Sequence, residues 1–99
     1  FTYVDDAVEA TMLAALSVKA EGELFNVASG IETSVNELVK KINSFLGVNI
    51  KPVYTLPRPG DIRHSYADIS NAERALNYHP LVNFEEGIRN TIEWYKQQE

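Results

Sequence analysis

Glu23–Ala28 is a strand-like run with a helix signal on either side and no second strand within hairpin reach. Leu24, Phe25 and Val27 are bulky, Asn26 is polar, and Ser29-Gly30 closes the run. Bulky residues bounded by turn formers read as a strand, and a strand between two helices is the usual context of a parallel sheet. Only two other stretches have strand character. Ile50–Thr55 contains Pro52, which demotes it to an edge or a late start, and Ser65–Ala67 is very short. Two or three short strands separated by helices cannot close a large sheet. The expected class is therefore α/β (an α+β fragment), in the order helix, strand, helix, strand, loop, helix, helix, with sheet partners outside the chain. The opening at Phe1, without an initiator Met, also reads as the middle of a longer protein.

The helices are the clearer signals. Asp5 and Asp6 are good helix starters, Ala7–Lys19 is rich in helix formers, and Val8, Met12, Ala15 and Leu16 predict one apolar stripe that Glu21-Gly22 ends. Ser34 and Glu37 form a capping-box pattern, followed by the helical period Val35, Leu38, Val39, Ile42, Phe45, Leu46 and a closing Gly47. Ser70 and Glu73 suggest a second capping box opening a helix to about Asn77, stopped by His79-Pro80. Asn83 can cap a last helix with Phe84, Ile88, Ile92 and Tyr95 as its core stripe, and Lys96–Glu99 as a solvated tail.

Several classes of chemistry are excluded by what is missing. There is no cysteine, so thiolate nucleophiles, disulfides and Cys-based zinc sites are absent, and His64 and His79 lie too far apart for a histidine metal signature. A net charge of −5 argues against a general nucleic-acid binder. The longest strictly hydrophobic run, Met12–Leu16, is too short to span a membrane, and no signal peptide is visible. The five glycines are scattered, so there is no Gly-rich dinucleotide turn, no phosphate loop and no nucleophile elbow. Tyr54 and Arg58 have the spacing of a Tyr-x-x-x-Lys pair, but an arginine stays protonated and cannot relay protons as lysine does. No catalytic constellation is present.

One segment carries chemistry. Residues 51–68, with Lys51, Arg58 and Arg63 against Asp61 and Asp68, are the one locally basic stretch, and within Leu56–Asp68 Pro57 and Pro59 stiffen the chain around Arg58. Gly60 permits a tight turn or close ligand approach. Arg58 and Arg63 are planar donors suited to phosphate oxygens, and Asp61 can accept from a hydroxyl such as that of a ribose. Two readings stand: an anion-binding loop with a hydroxyl-reading carboxylate, or charges (Arg58, Asp61, Arg63, Asp68) that pair with one another or with helix ends. His64 reads as a surface or packed histidine, Tyr66 and Trp94 as core or rim aromatics, and Asp5-Asp6 as a helix cap. Asn26 either satisfies backbone groups at a crossover or lines a site.

Five stretches stand in a familiar order: Phe1–Ala10, Phe25–Gly30, Ser34–Leu38, Pro59–Ser70, and Phe84–Ile88 with Trp94-Tyr95. Over essentially its whole length the chain resembles the C-terminal third of an extended short-chain dehydrogenase/reductase (SDR) of the NAD-dependent epimerase/dehydratase family, above all its UDP-glucose and UDP-N-acetylglucosamine 4-epimerases. Arg58–Ser70 is the most specific part. The resemblance implies a Rossmann domain that binds NAD and a smaller C-terminal domain that binds the nucleotide sugar. It implies hydride transfer from the sugar C4 to NAD, rotation of the 4-keto intermediate, and return of the hydride to the other face.

Carried onto this chain, the resemblance makes residues 1–30 the end of the NAD-binding domain and 31–99 the nucleotide-sugar-binding domain. Arg58 would bind the diphosphate, Asp61 the nucleotide, Ile31 would lie near the nucleotide, and Arg63 is a further loop candidate. The family's Gly-rich turn, Ser/Thr, catalytic Tyr and Lys, and a second phosphate-binding Arg all precede the region in hand. The chain is thus expected to hold part of a UDP-sugar site, no catalytic residue and no cofactor contact, and to be inactive alone. A homodimer and a cytoplasmic location are implied for the full-length enzyme. The alternatives are a dehydratase or decarboxylase of the same family, or a stand-alone non-catalytic binding or assembly module.

Overall fold

The computed structural model describes residues 1–98 as four α-helices and a short 3₁₀ turn: α1 (Val4–Leu16), the turn Val18–Ala20, α2 (Val35–Leu46), α3 (Ser70–Leu76) and α4 (Phe84–Gln97). None of the three expected strands forms a ladder among the described residues. Residues 23–28, 50–55 and 65–67 run as single unpaired segments, and Leu24 and Val53 project almost wholly into solvent. The reason is physical: β-structure exists only through backbone pairing with a neighbour, and among the described residues no backbone hydrogen bond joins any two of these segments.

Helix α1 differs from its expected form in start and in face. It begins at Val4, and neither Asp5 nor Asp6 is its cap, because Tyr3 occupies that position without a side-chain bond. Asp6, Ala10, Leu13 and Ala14 turn inward, whereas the expected stripe residues Val8, Met12 and Leu16 are exposed. Small residues at the inward positions let α1 approach α3 closely. Ala10, Ile69, Ala72, Leu76 and Tyr78 form the buried core, with Leu13, Ala14, Ala20, Phe25 and Ala28 packed against it. Tyr78 is completely buried, and its hydroxyl donates to the Ala28 carbonyl at 2.9 Å. Burial and the nearby Asp6 charge hold that phenol above its ordinary pKa.

Helix α2 forms as expected. The Ser34 hydroxyl accepts from Glu37 N–H at 3.1 Å, the Glu37 carboxylate accepts from Ser34 N–H at 2.6 Å, and Gly47 closes the helix at φ 65°. Its ends Val35 and Leu46 are exposed, Leu38, Val39, Ile42 and Phe45 are half-buried, and the helix packs against α4. The expected capping box of α3 does not form. Instead, Asp68 Oδ1 accepts from Ser70 N–H at 2.9 Å, and Asn77, at φ 55°, ends the helix before Pro80 is reached.

Asn83 caps α4 by accepting from Glu86 N–H. Phe84, Ile88 and Ile92 are half-buried, but Tyr95 is exposed. Lys96 and Gln97 extend the helix rather than a tail, and Glu99 lies outside the described residues. Lys41 on α2 pairs with Glu85 on α4 at 2.8 Å, and the Arg89 guanidinium lies 5.2 Å from the Phe45 ring.

Contacts among the described residues join the N-terminal end of α1 to α4 and to the segment that leads into it. Gly87 lies under Tyr3, where a Cβ would stand 3.3 Å from the ring. The rings of Phe1 and Phe84 are 5.7 Å apart. The buried Asp6 carboxylate accepts from the backbone N–H of Leu81 (2.9 Å) and of Val82 (3.3 Å). The chain exposes 8132 Å², against about 5,700 Å² for a folded monomer of this mass. Its radius of gyration is 16.4 Å, against about 13 Å for a compact domain of this length. The excess surface includes the apolar outer face of α1.

Candidate functional site

A cleft of about 830 Å³ opens in the molecule. Its lining includes Ser29-Gly30-Ile31 with Thr33, Tyr66–Ile69, and Phe84, Ile88 and Thr91 of α4. Gly30, at φ 74°, turns the chain out of the 23–28 segment and lies over Ile69. The lining is apolar with a few polar groups, among them Ser29, Thr33, Asp68 and Glu73, the usual composition of a small-molecule site.

Ile31 is the one expected site residue that lines this cleft. Arg58, Asp61 and Arg63 lie outside it, on the exposed loop from 56 to 63. Within that loop Asp61 Oδ2 accepts from Arg58 N–H at 2.8 Å, and Asp61 N–H donates to the Arg58 carbonyl at 3.1 Å. Gly60, at φ 88°, supplies the left-handed residue that the turn needs. Asp61 thus holds the backbone of the turn that carries Arg58. A carboxylate has about four lone-pair sites, so the others stay available to a ligand.

The charges of the loop divide between the two readings: Asp68 pairs with a helix end, and the two arginines do not pair. Among the described residues neither the Arg58 nor the Arg63 guanidinium makes an ion pair, and Asp68 is engaged at the start of α3. Hydrogen bonds to Ser70, chiefly through its side chain, hold the Asp68 carboxyl below its ordinary pKa. The four charges do not neutralise one another, and two planar cations are left facing solvent. His64 is exposed as expected, and its Nδ1 meets Glu32 Oε1 at 2.6 Å. Tyr66 lines the cleft, and Trp94 is exposed and stacks edge-on to Tyr95 at 5.0 Å, so neither enters the core. Asn26 is exposed and makes no side-chain hydrogen bond among the described residues.

Three residues with structural reach were not singled out for it in the sequence. Asp6 ties α1 to the 81–82 backbone, Tyr78 fills the core, and Glu32 grips His64. Only Asp6 left a trace, as a polar residue at helical spacing from Ala10 and Leu13. No group of three metal-ligating side chains converges among the described residues. The residues present do not fit a dinucleotide either. Gly22, Gly30, Gly47 and Gly60 serve four separate turns and Gly87 lies inside α4, so none forms a phosphate-cradling strand-to-helix turn.

Comparison with known proteins gives a consistent result. The sequence model of the GDP-mannose 4,6 dehydratase family matches residues 1–91. The UDP-glucose 4-epimerase of Mycolicibacterium smegmatis is 36% identical over 98 residues, covering 99% of this chain and 31% of that protein. The crystal structure of UDP-glucose 4-epimerase from Thermotoga maritima with UDP-glucose superposes with a TM-score of 0.89 at 38% identity, over 99% of this chain and 31% of that one. UDP-glucuronic acid 4-epimerase from Bacillus cereus, in complex with UDP-glucuronic acid and NAD, superposes at 0.91 with 27% identity, over 100% of this chain and 32% of that one. The chain therefore spans under a third of the length of these relatives. Matched from Phe1 to Thr91 and superposable on sugar-nucleotide enzymes throughout, it belongs to the GDP-mannose 4,6 dehydratase family, among the epimerases and dehydratases that its motifs resemble.

Proposed function

We propose that this chain is the substrate-binding portion of a longer NAD-dependent UDP-hexose 4-epimerase. The observation that carries the reading is the Arg58–Asp61 turn, a proline-stiffened loop whose guanidinium makes no ion pair among the described residues. An unpaired guanidinium on a preformed turn is suited to a diphosphate, because it can offer two parallel donors at little ordering cost. In this reading Arg58 binds the diphosphate, with Arg63 as a second cation nearby. The free lone pairs of Asp61 accept from a ribose hydroxyl, and Ile31 supplies apolar contact to the nucleotide.

Residues 1–30 are assigned to the end of the cofactor domain and 31–99 to the nucleotide-sugar domain. NAD, the sheet that completes an α/β fold and the groups that carry out the redox step are assigned to the part of the enzyme outside this chain. The chain by itself is then inactive. The full-length enzyme is assigned as a homodimer working in the cytoplasm. No helix among the described residues is long and apolar enough to cross a membrane. A dehydratase of the same family is the second reading, favoured by the name of the matching family model.

In the full-length enzyme Arg58→Ala should raise KM for the UDP-sugar about tenfold or more, the loss expected for hydrogen bonds to a charged group, and leave the NAD content unchanged. An unchanged KM would remove Arg58 from the site. Product analysis separates epimer from dehydrated sugar.

A further inference from the structure

Residues 55–66 are all exposed, and among the described residues a single hydrogen bond leads out of the stretch 55–67: that between His64 Nδ1 and Glu32 Oε1. The bonds between Arg58 and Asp61 are internal to it. Its flanks are pinned, since Tyr54 donates to Asn36 Oδ1 on one side and Asp68 accepts from Ser70 N–H on the other. Between those anchors no other hydrogen bond among the described residues ties the loop to the rest of the protein. Glu32 sits between Ile31 and Thr33, which line the cleft, and itself stands outside it. His64 lies two residues before Tyr66, which also lines the cleft. The pair therefore ties the exposed loop to the backbone between Ile31 and Thr33, beside the cleft.

We propose that Glu32 and His64 form a clasp that positions the Arg58–Asp61 turn for a nucleoside diphosphate without touching it. The inference rests on the assignment of Arg58 made above. A loop released from its one tether must be ordered by the ligand, and that entropy is subtracted from affinity. The pair is exposed, with side chains 77% and 42% accessible, so its effect is modest. Both are positioning residues, and their loss should appear in binding and leave the chemical step alone.

The test uses the full-length enzyme, with UDP as the probe in titration calorimetry and with steady-state kinetics alongside. Glu32→Ala and His64→Ala should each weaken UDP binding about threefold to fivefold, with kcat unchanged. The double variant should be no weaker than either single one, since both remove the same contact. Exchanging the partners, Glu32→His with His64→Glu, should restore affinity. Additive losses, unchanged affinity in the single variants, or a fall in kcat with unchanged UDP binding would overturn the clasp. Arg58→Ala, measured in the same series, keeps the two claims apart. If it binds UDP normally, the assignment of Arg58 falls and takes the clasp with it. If it binds weakly while the Glu32 and His64 variants bind normally, the clasp alone falls.

Discussion

Asp6→Ala removes the one carboxylate that ties the first helix to the segment leading into the last. Asp6 is 4% exposed and accepts from two backbone N–H groups, Leu81 at 2.9 Å and Val82 at 3.3 Å, across 75 and 76 residues of chain. A hydrogen bond to a charged group contributes about 1.5–3 kcal/mol. The Val82 bond is long, and Leu81 is exposed enough for its N–H to turn to water, so the lower end applies to each. The expected loss is about 3 kcal/mol. Asp6→Asn keeps one acceptor oxygen and should lose about half as much. With the steeper urea slope of a protein about three times this length, about 3 kcal/mol per molar or more, the alanine variant should unfold up to about 1 M earlier. The same energy corresponds to exchange of the Leu81 and Val82 amide protons faster by about two orders of magnitude, with amides at the centre of α2 far less affected. Both readouts belong in the full-length protein. An unchanged urea midpoint with unchanged protection at Leu81 and Val82 would refute the reasoning. So would an asparagine variant as damaged as the alanine one.

Two further outcomes follow from the same geometry. Tyr78→Phe deletes the hydroxyl that serves the Ala28 carbonyl and should destabilise by about 1–2 kcal/mol; a wild-type urea midpoint would mean that the carbonyl finds water. Backbone and side-chain bonds to Ser34 hold the Glu37 carboxyl below its ordinary value of 4.5. A depressed folded-state pKa stabilises above the unfolded value, and that stability is lost as pH falls through the folded one. The deficit of Glu37→Ala should therefore be constant above about pH 5 and shrink toward pH 3, and a pH-independent deficit would contradict the capping role.

Interactions confined to a few neighbouring residues were legible. Ser34, Glu37 and Gly47 define α2 because each bond of that cap spans at most four residues, so nothing distant can override it. Asn83 opens α4 for the same reason, and the stiffness of the loop around Arg58 lies in its prolines. The inward face of α1 was not legible. Val8, Met12 and Leu16 form a good apolar stripe, yet α3 docks on the narrower side made by Asp6, Ala10 and Leu13, where small residues allow close approach. The second capping box misled because Asp68 reached the Ser70 N–H first.

Four helical segments, the turn that presents Arg58 and a family resemblance were all readable from the order of the residues. Packing alone brought Asp6 to backbone 75 residues away, buried Tyr78 completely, set Ile31 in a cleft with Arg58 and Asp61 on an exposed loop outside it, and put Glu32 against His64. The division has a physical cause. Caps and turns are satisfied within one stretch of backbone, whereas the partner of a buried carboxylate or an exposed histidine is whichever group the packing of distant helices brings within about 3 Å.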